Sequence, residues 1–175
     1  DEVVLIEGDT EAVFMRAYFQ AKEPPKDIFI VNCGSINNIP FFQQVFSRFN
    51  IKYHVICDTD DKVGKKRKNN EVDEFGLPVF SGGIQKTIYQ QFRKDKQRSD
   101  YVSGVMMLHH TNFEDAHRAI GEQKYKFPYD DKKVQQLGKP YCVNLYWNDV
   151  IEPNLAEDNI KLVPIINNIL TIINN

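Results

Sequence analysis

Acidic side chains follow two apolar segments of this sequence, at the points where those segments end. Glu7 comes directly after the apolar residues 3–6, and Asp58 and Asp60 come directly after residues 53–57. If both segments are strands of one parallel sheet, their carboxyl ends open onto the same crevice, where α/β proteins bind ligands. Asp58 and Asp60 are two residues apart, so an extended chain would direct both side chains to one side. The spacing therefore predicts that three carboxylates converge.

Three converging carboxylates repel one another unless a proton or a cation compensates their charge. Mg²⁺ or Mn²⁺ would relieve this repulsion, because both are hard cations that prefer oxygen ligands. Two such ions about 4 Å apart suit in-line attack on a phosphodiester. Acids also end strands as simple turn formers, but that alternative explains one acid better than three. The residues predict a metal centre for phosphoryl chemistry, with Glu7, Asp58 and Asp60 as catalytic groups.

Strands and helices must alternate to position these acids. Short apolar, β-branched runs are typical of buried parallel strands, and the segments between them have helical spacing. We predict strands at residues 3–6, 28–31, 53–57 and 102–108. We predict helices at residues 10–22, 36–49, 84–96 and 113–120, one ending near Trp147, and a docked C-terminal helix at 162–173. This order predicts an α/β fold with a mainly parallel sheet of about four strands flanked by helices.

The bulk composition limits the class of protein. A chain of 175 residues with 42% hydrophobic and 26% charged residues fits one globular domain. The net charge of −2 argues against a simple electrostatic binder of nucleic acid, although lysines cluster at residues 62–68 in a predicted surface loop. The three cysteines show no metal-binding spacing and are predicted to be buried, reduced thiols. With no secretory signal and no apolar run of about 18 residues, the prediction is a cytoplasmic protein without a membrane partner.

The acidic motifs resemble those of a known family. Glu7 after one strand and Asp58-Thr59-Asp60 after another resemble the signature of the Toprim domain. The continuation Gly8-Asp9-Thr10-Glu11 is similar to nucleases of the overcoming-lysogenization-defect (OLD) family, and so is the turn at residues 32–35, where Cys33 replaces the usual glycine. Glu114 after the fourth strand and Lys139 before Pro140 resemble a later acidic motif and a closing lysine of that family.

The resemblance implies a divalent-metal-dependent DNA endonuclease with a Toprim, Rossmann-like fold. Two metal ions are implied, one near Glu7, Glu11 and Asp58 and the other near Asp60 and Glu114. Lys139 would then face the pentavalent phosphate as a fourth catalytic residue. Residues 1–175 would form a single Toprim catalytic domain, the C-terminal fragment of a longer ATPase-nuclease. Its expected partners are DNA and an N-terminal ABC-type ATPase domain that can dimerise.

Other functions remain open at this stage. A Toprim domain can also carry out primase-like synthesis or RNA processing. A response-regulator-like phosphoacceptor switch likewise places acids at strand ends, although its acceptor acid would stand alone. A scaffold that binds no metal is the non-enzymatic alternative. His109 and His110 are interpreted as a loop pair without a role rather than as ligands or a proton shuttle.

Overall fold

A four-stranded, fully parallel sheet forms the centre of the molecule. The computed structural model describes residues 2–60, 73–74, 79–80 and 82–175. Its strands are β1 (Glu2–Ile6), β2 (Ile28–Asn32), β3 (Lys52–Asp58) and β4 (Met106–His109), arranged in the order β2-β1-β3-β4. All three neighbouring pairs run parallel. The prediction of a mainly parallel sheet of about four strands is confirmed.

Seven α-helices flank this sheet in the described part of the chain. They are α1 (Asp9–Ala21), α2 (Ile39–Arg48), α3 (Gly83–Lys96), α4 (Phe113–Arg118), α5 (Asp131–Leu137), α6 (Lys139–Tyr146) and α7 (Pro164–Asn174). A π-helical turn, Trp147–Ile151, extends α6. The sequence pattern did not predict α5, because a helix of seven residues with two apolar positions, Val134 and Leu137, is too short to show a helical periodicity. No helix among these residues is long and apolar enough to cross a bilayer.

The two faces of the sheet are covered by different helices. On β1, Val4 and Ile6 belong to a core shared with residues of α1, α6 and α7. Val3 and Leu5 point the other way and belong to a core shared with α2 and α3. The interior strands β1 and β3 are therefore buried on both faces, as their continuous apolar sequences predict.

Two predictions about strands are wrong. β2 was expected to be buried, but it lies at the edge of the sheet and leaves Phe29 56% exposed. β4 was expected to begin at Val102, but it begins at Met106. Before that point Tyr101 packs on β3, and its hydroxyl accepts a hydrogen bond from the Tyr53 N–H at 3.3 Å. The Tyr53 N–H is therefore bonded to the Tyr101 side chain and not to the backbone of a neighbouring strand.

The chain reverses its direction across the sheet between β1 and β3. The connection through α1 leads from β1 outward to β2, whereas α2 returns past β1 to β3. Helices on opposite faces therefore separate at the carboxyl ends of β1 and β3 and leave a crevice there. Glu7 follows β1 and Asp58 ends β3, so the topology brings both acids to this crevice.

Candidate metal centre

A small cavity of about 160 Å³ opens at the carboxyl ends of β1 and β3. Most of its lining is polar, and it contains four carboxylates and one ammonium group. The lining residues are Glu7, Gly8, Thr10, Glu11, Asp58, Phe113, Glu114 and Lys139. The cavity brings together five of the six site residues predicted from the sequence, and Asp60 stands outside it.

The two strand-end acids are neighbours because their strands are neighbours. Ile6 of β1 is paired with Ile56 of β3, and Glu7 and Asp58 follow this pair by one and two residues, so both lie at the same end of adjacent strands. Glu11 joins them because α1 begins at Asp9, immediately after Gly8, which puts Glu11 in the first turn. The Glu11 side chain is only 5% exposed, although it is a carboxylate.

Glu114 and Lys139 close the cavity from the opposite side. Glu114 lies in the first turn of α4, which Asn112 caps by accepting a hydrogen bond from the Asp115 N–H. Lys139 is the first residue of α6, and its Nζ lies 3.0 Å from Glu114 Oε1. The Glu114 side chain is 6% exposed and that of Lys139 is 54% exposed. The ammonium group thus stands at the solvent side of a buried acid.

Asp60 adopts a conformation that differs from the expected one. It was predicted to continue an extended strand, but its φ of +52° lies in the left-handed region. Its N–H donates to Thr111 O at 2.9 Å, and its carboxylate accepts a hydrogen bond from Gln85 Nε2 at 3.0 Å. Asp60 is exposed beside the cavity, held by the first turn of α3. The lysine-rich residues 62–68, which follow it, lie outside the described residues.

His109 is a member of the cluster that the sequence did not reveal. It was interpreted as part of a loop, but it is the last residue of β4 and the register partner of Asp58. It is fully buried, with Nδ1 at 3.3 Å from Asp58 Oδ1 and 3.8 Å from Glu11 Oε1. Its neighbour His110 is exposed. The pairing of β3 with β4 places His109 at the acids, and strand pairing is not visible in a local pattern.

Burial and mutual repulsion perturb the titration of this cluster. Burial, with the charges of Asp58, Glu11 and Asp60, raises the pKa of Glu7 to about 7. Burial also raises the pKa of Asp58. The His109 imidazolium is disfavoured by burial, but its contacts with Asp58 and Glu11 raise its pKa to about 9. The negative charges of these carboxylates are therefore only partly compensated, and the His109 imidazolium supplies part of the compensating positive charge.

Several buried atoms of the cluster have no hydrogen-bond partner within the described chain. They are Glu7 Oε2, Asp58 Oδ1, Glu114 Oε1 and both ring nitrogens of His109. The 3.3 Å contact of His109 with Asp58 is an ion pair in which the ring N–H does not point at the oxygen well enough for a hydrogen bond. Buried polar atoms are nearly always satisfied, so a group of them converging on one cavity indicates a missing ligand. Carboxylate oxygens are the donors that Mg²⁺ and Mn²⁺ take, and the residues present fit such ions.

Comparison with known proteins gives one match. Residues 1–60, which contain β1 to β3 with Glu7, Glu11, Asp58 and Asp60, match the family model described as "Overcoming lysogenization defect protein-like, TOPRIM domain". Searches of curated proteins and of solved structures found no match. Toprim domains generally cleave or transfer phosphodiesters with the help of metal ions. The resemblance predicted from the motifs is confirmed over this segment, about a third of the chain, which is similar to the Toprim domain of OLD-like proteins.

Proposed function

We propose that this domain is an endonuclease that hydrolyses DNA phosphodiesters with two divalent cations, Mg²⁺ or Mn²⁺. The observation that carries the proposal is that Glu7, Asp58 and Glu114 each direct a buried carboxylate oxygen without a hydrogen-bond partner in the described chain at one cavity in the crevice of the sheet. A structural cluster would instead be compensated by lysine or arginine within the fold. Among the described residues that line the cavity, Lys139 alone carries an ammonium group, and of these acids it contacts Glu114.

The residues divide into metal ligands and a phosphate-binding group. Glu7, Glu11 and Asp58 would hold one cation, and Glu114 with Asp60 would hold the other. Bound cations would activate a water molecule and neutralise the phosphate. For Asp60 to take part, its carboxylate must exchange the hydrogen bond from Gln85 for a ligand bond. The half-exposed Lys139 Nζ is placed to contact a phosphate oxygen that approaches from solvent, where negative charge grows in the transition state.

The alternatives differ in substrate rather than in metal centre. Primase-like synthesis and RNA processing use the same kind of acidic site, and they stay as the second candidate. A response-regulator-like switch is disfavoured because the match to the Toprim family spans Glu7 and the DxD motif together. A scaffold is disfavoured by the buried oxygens that lack a hydrogen bond in the described chain, because burying them without a ligand lowers the stability of the fold.

The proposal extends to the partners of the domain. The net charge of −2 gives the chain no overall attraction for DNA, whose binding depends largely on positive side chains that contact phosphates. We propose that an N-terminal ABC-type ATPase domain of the full-length protein supplies DNA affinity and targeting, by dimerisation, by ATP-gated clamping or by both. The domain alone should then nick DNA slowly and without sequence preference.

Incubation of the protein with supercoiled plasmid and Mg²⁺ or Mn²⁺ tests this function. The wild-type protein should produce nicked and linear plasmid, and chelation of the metal should stop the reaction. Asp58→Asn should reduce the rate about 10²-fold or more, because it removes a ligand charge from the centre of the cluster. The exposed Asp149, changed to Asn, serves as a matched control and should cleave normally.

Two results would contradict the proposal. Equal cleavage by the Asp58→Asn variant and the wild type would show that the acids are not the metal centre. Metal-dependent activity on RNA or on nucleotides, with intact plasmid, would favour the second candidate.

A further inference from the structure

We infer that the position formed by Glu11, Asp58 and His109 is a mixed nitrogen–oxygen metal site that prefers a transition-metal ion such as Co²⁺, Mn²⁺ or Zn²⁺ to Mg²⁺. The inference rests on the metal centre proposed above: it adds His109 to the ligands of the cation assigned to Glu7, Glu11 and Asp58, and it specifies that ion. It differs from the expectation drawn from the acids alone, which treats Mg²⁺ and Mn²⁺ as equivalent.

The geometry of the three side chains suits one ion. Each offers one ligand atom, and these atoms all lie within 4.8 Å of one another. His109 Nδ1 is 3.3 Å from Asp58 Oδ1 and 3.8 Å from Glu11 Oε1. Ligand atoms about 2.1 Å from an ion stand about 3.0 to 3.4 Å apart when they are adjacent in its shell. The two histidine distances are thus within about 0.4 Å of this range, and the Glu11 and Asp58 ligand atoms lie within 4.8 Å of each other.

The orientation of the His109 ring is fixed by its surroundings. Its ring meets those of Phe113 and His117 edge-on, with centroids 5.4 and 5.5 Å away. The backbone of His109 is paired with β3, and its carbonyl accepts the Thr59 N–H at 3.0 Å. Nδ1 is consequently held within 4 Å of carboxylate oxygens of both Asp58 and Glu11, and it lacks a hydrogen bond to any described residue.

His117, the other buried histidine nearby, shows the contrast. Its Nδ1 is 2.6 Å from Phe113 O, and its Nε2 accepts the Ile165 N–H at 3.3 Å. Both nitrogens are therefore used by the backbone, and His117 has a structural role. His109 has the same burial and adjacent packing, but neither of its nitrogens is used in this way.

The nitrogen donor determines the preference among ions. Mg²⁺ takes oxygen ligands and retains its water, whereas imidazole is a favourable ligand for Zn²⁺, Fe²⁺ and other first-row ions. A carboxylate pair with one imidazole thus favours a transition metal more than a site with oxygen ligands alone. Replacing the imidazole nitrogen by an oxygen ligand should reduce the difference in affinity between a transition-metal ion and Mg²⁺.

His109→Asn makes this replacement, because the asparagine amide oxygen can occupy the position of Nδ1. Co²⁺ and Mg²⁺ binding would be measured by calorimetry, together with the visible absorption of bound Co²⁺. We expect the variant to lose at least about 10-fold of its Co²⁺ affinity, which is about 1.4 kcal/mol, and to alter the absorption bands, while Mg²⁺ affinity changes less than about 3-fold. His110→Asn, at the exposed neighbour, is the matched control and should match the wild type in both measurements.

A second measurement needs no variant and stands if His109→Asn fails to fold. Pulsed electron paramagnetic resonance of the Mn²⁺-loaded wild type should detect coupling to an imidazole nitrogen. Absence of that coupling, or unchanged Co²⁺ affinity in a folded His109→Asn variant, would overturn the inference. Plasmid nicking without nitrogen coupling would overturn this inference and leave the nuclease proposal in place. Nitrogen coupling without plasmid nicking would support this inference and contradict the nuclease proposal.

Discussion

At the scale of single residues, the acids of the crevice are held where their charges are unfavourable. The raised pKa of Glu7, about 7, reflects burial first and the nearby carboxylates second. Lys139 opposes this shift and also contacts Glu114 at 3.0 Å. The fold without metal is therefore less stable at neutral pH than it would be with a neutral group in place of one acid.

Glu7→Gln should raise the melting temperature of the metal-free protein at pH 8 by a few degrees, since it removes a buried, repelled charge. The sign follows from the raised pKa. The stability that Glu7 contributes is present below pH 4.5 and is lost as the pH rises through about 7. The gain should therefore shrink at pH 5. Thermal unfolding with chelator at both pH values measures it, with the exposed Glu152→Gln as control. A lower melting temperature at pH 8 would contradict the unfavourable charge.

Lys139→Ala should slow cleavage about 10²-fold while divalent-metal affinity changes little. Its ammonium group is at the solvent side of the cavity, and a donor aimed at developing charge typically contributes that much. Single-turnover cleavage and calorimetry with Mn²⁺ separate the two effects. Lys132→Ala, an exposed lysine of α5, provides the control. Unchanged turnover in Lys139→Ala would make Lys139 an ordinary surface lysine.

At the scale of elements, the segment after β3 is fastened to the segment after β4. The Thr59 N–H donates to His109 O at 3.0 Å, and the Asp60 N–H donates to Thr111 O at 2.9 Å. The Thr111 N–H donates in return to Thr59 Oγ1 at 2.8 Å. Asp60 and Thr111 both have positive φ, at 52° and 65°. Such conformations are unfavourable for residues other than glycine, so these hydrogen bonds hold the Asp60 backbone in place.

Thr59→Val should therefore act on Asp60 without touching the cavity. It keeps the shape of the buried side chain and removes the acceptor of the Thr111 N–H, which should lower stability by about 1 to 2 kcal/mol. Mn²⁺ affinity should fall as well, since Asp60 loses its support. Thr59→Ser retains the hydroxyl and should restore metal affinity. Urea unfolding and Mn²⁺ calorimetry test this. Normal Mn²⁺ binding by a destabilised Thr59→Val protein would limit Thr59 to a structural role.

The same elements show how far the sequence alone could reach. β1 and β3 were predictable because burial on both faces leaves a continuous apolar run, and Glu7 and Asp58 follow from where those runs end. His109 was not predictable, because its place beside Asp58 depends on the pairing of β4 with β3. The turn at Asp60 was also missed, since its partners Gln85 and Thr111 are distant in sequence.

At the scale of the whole molecule, the two ends of the sheet differ in how far their buried acidic groups are compensated by positive charge. At the amino ends of the strands, Glu2 accepts ion pairs from Lys26 at 3.0 Å and Lys52 at 3.2 Å. His54 lies 2.8 Å from the same carboxylate through Nε2, and its Nδ1 accepts the Val105 N–H. At the carboxyl ends, Glu7, Asp58 and Glu114 each keep a buried oxygen without a hydrogen bond to any described residue. The compensated end stabilises the fold, and the uncompensated end is the one that fits a cation.

This contrast predicts how the charged groups at the amino ends of the strands make the stability of the fold depend on pH. Burial alone would raise the pKa of Glu2, but hydrogen bonds from His54, Lys26 and Lys52 lower it to about 2. Burial lowers the pKa of His54 to about 4, although Glu2 opposes the shift. Both depressed values contribute in the same sense. The folded state loses stability to His54 as the pH falls from 6.5 towards 4, and to Glu2 as it falls from 4.5 towards 2.

Glu2→Gln should consequently be less stable than the wild type by about 1 to 2 kcal/mol at pH 7, once solvent screening is allowed for. That deficit should shrink below pH 4.5 and nearly vanish near pH 2, because the wild-type carboxylate is then protonated too. Urea unfolding at pH 7, 5 and 3 with chelator present measures the trend, and Glu23→Gln, at an exposed residue after α1, is the control. A deficit that stays constant from pH 7 to pH 3 would show that Glu2 acts through packing, because only a charge that protonation removes can make the difference depend on pH.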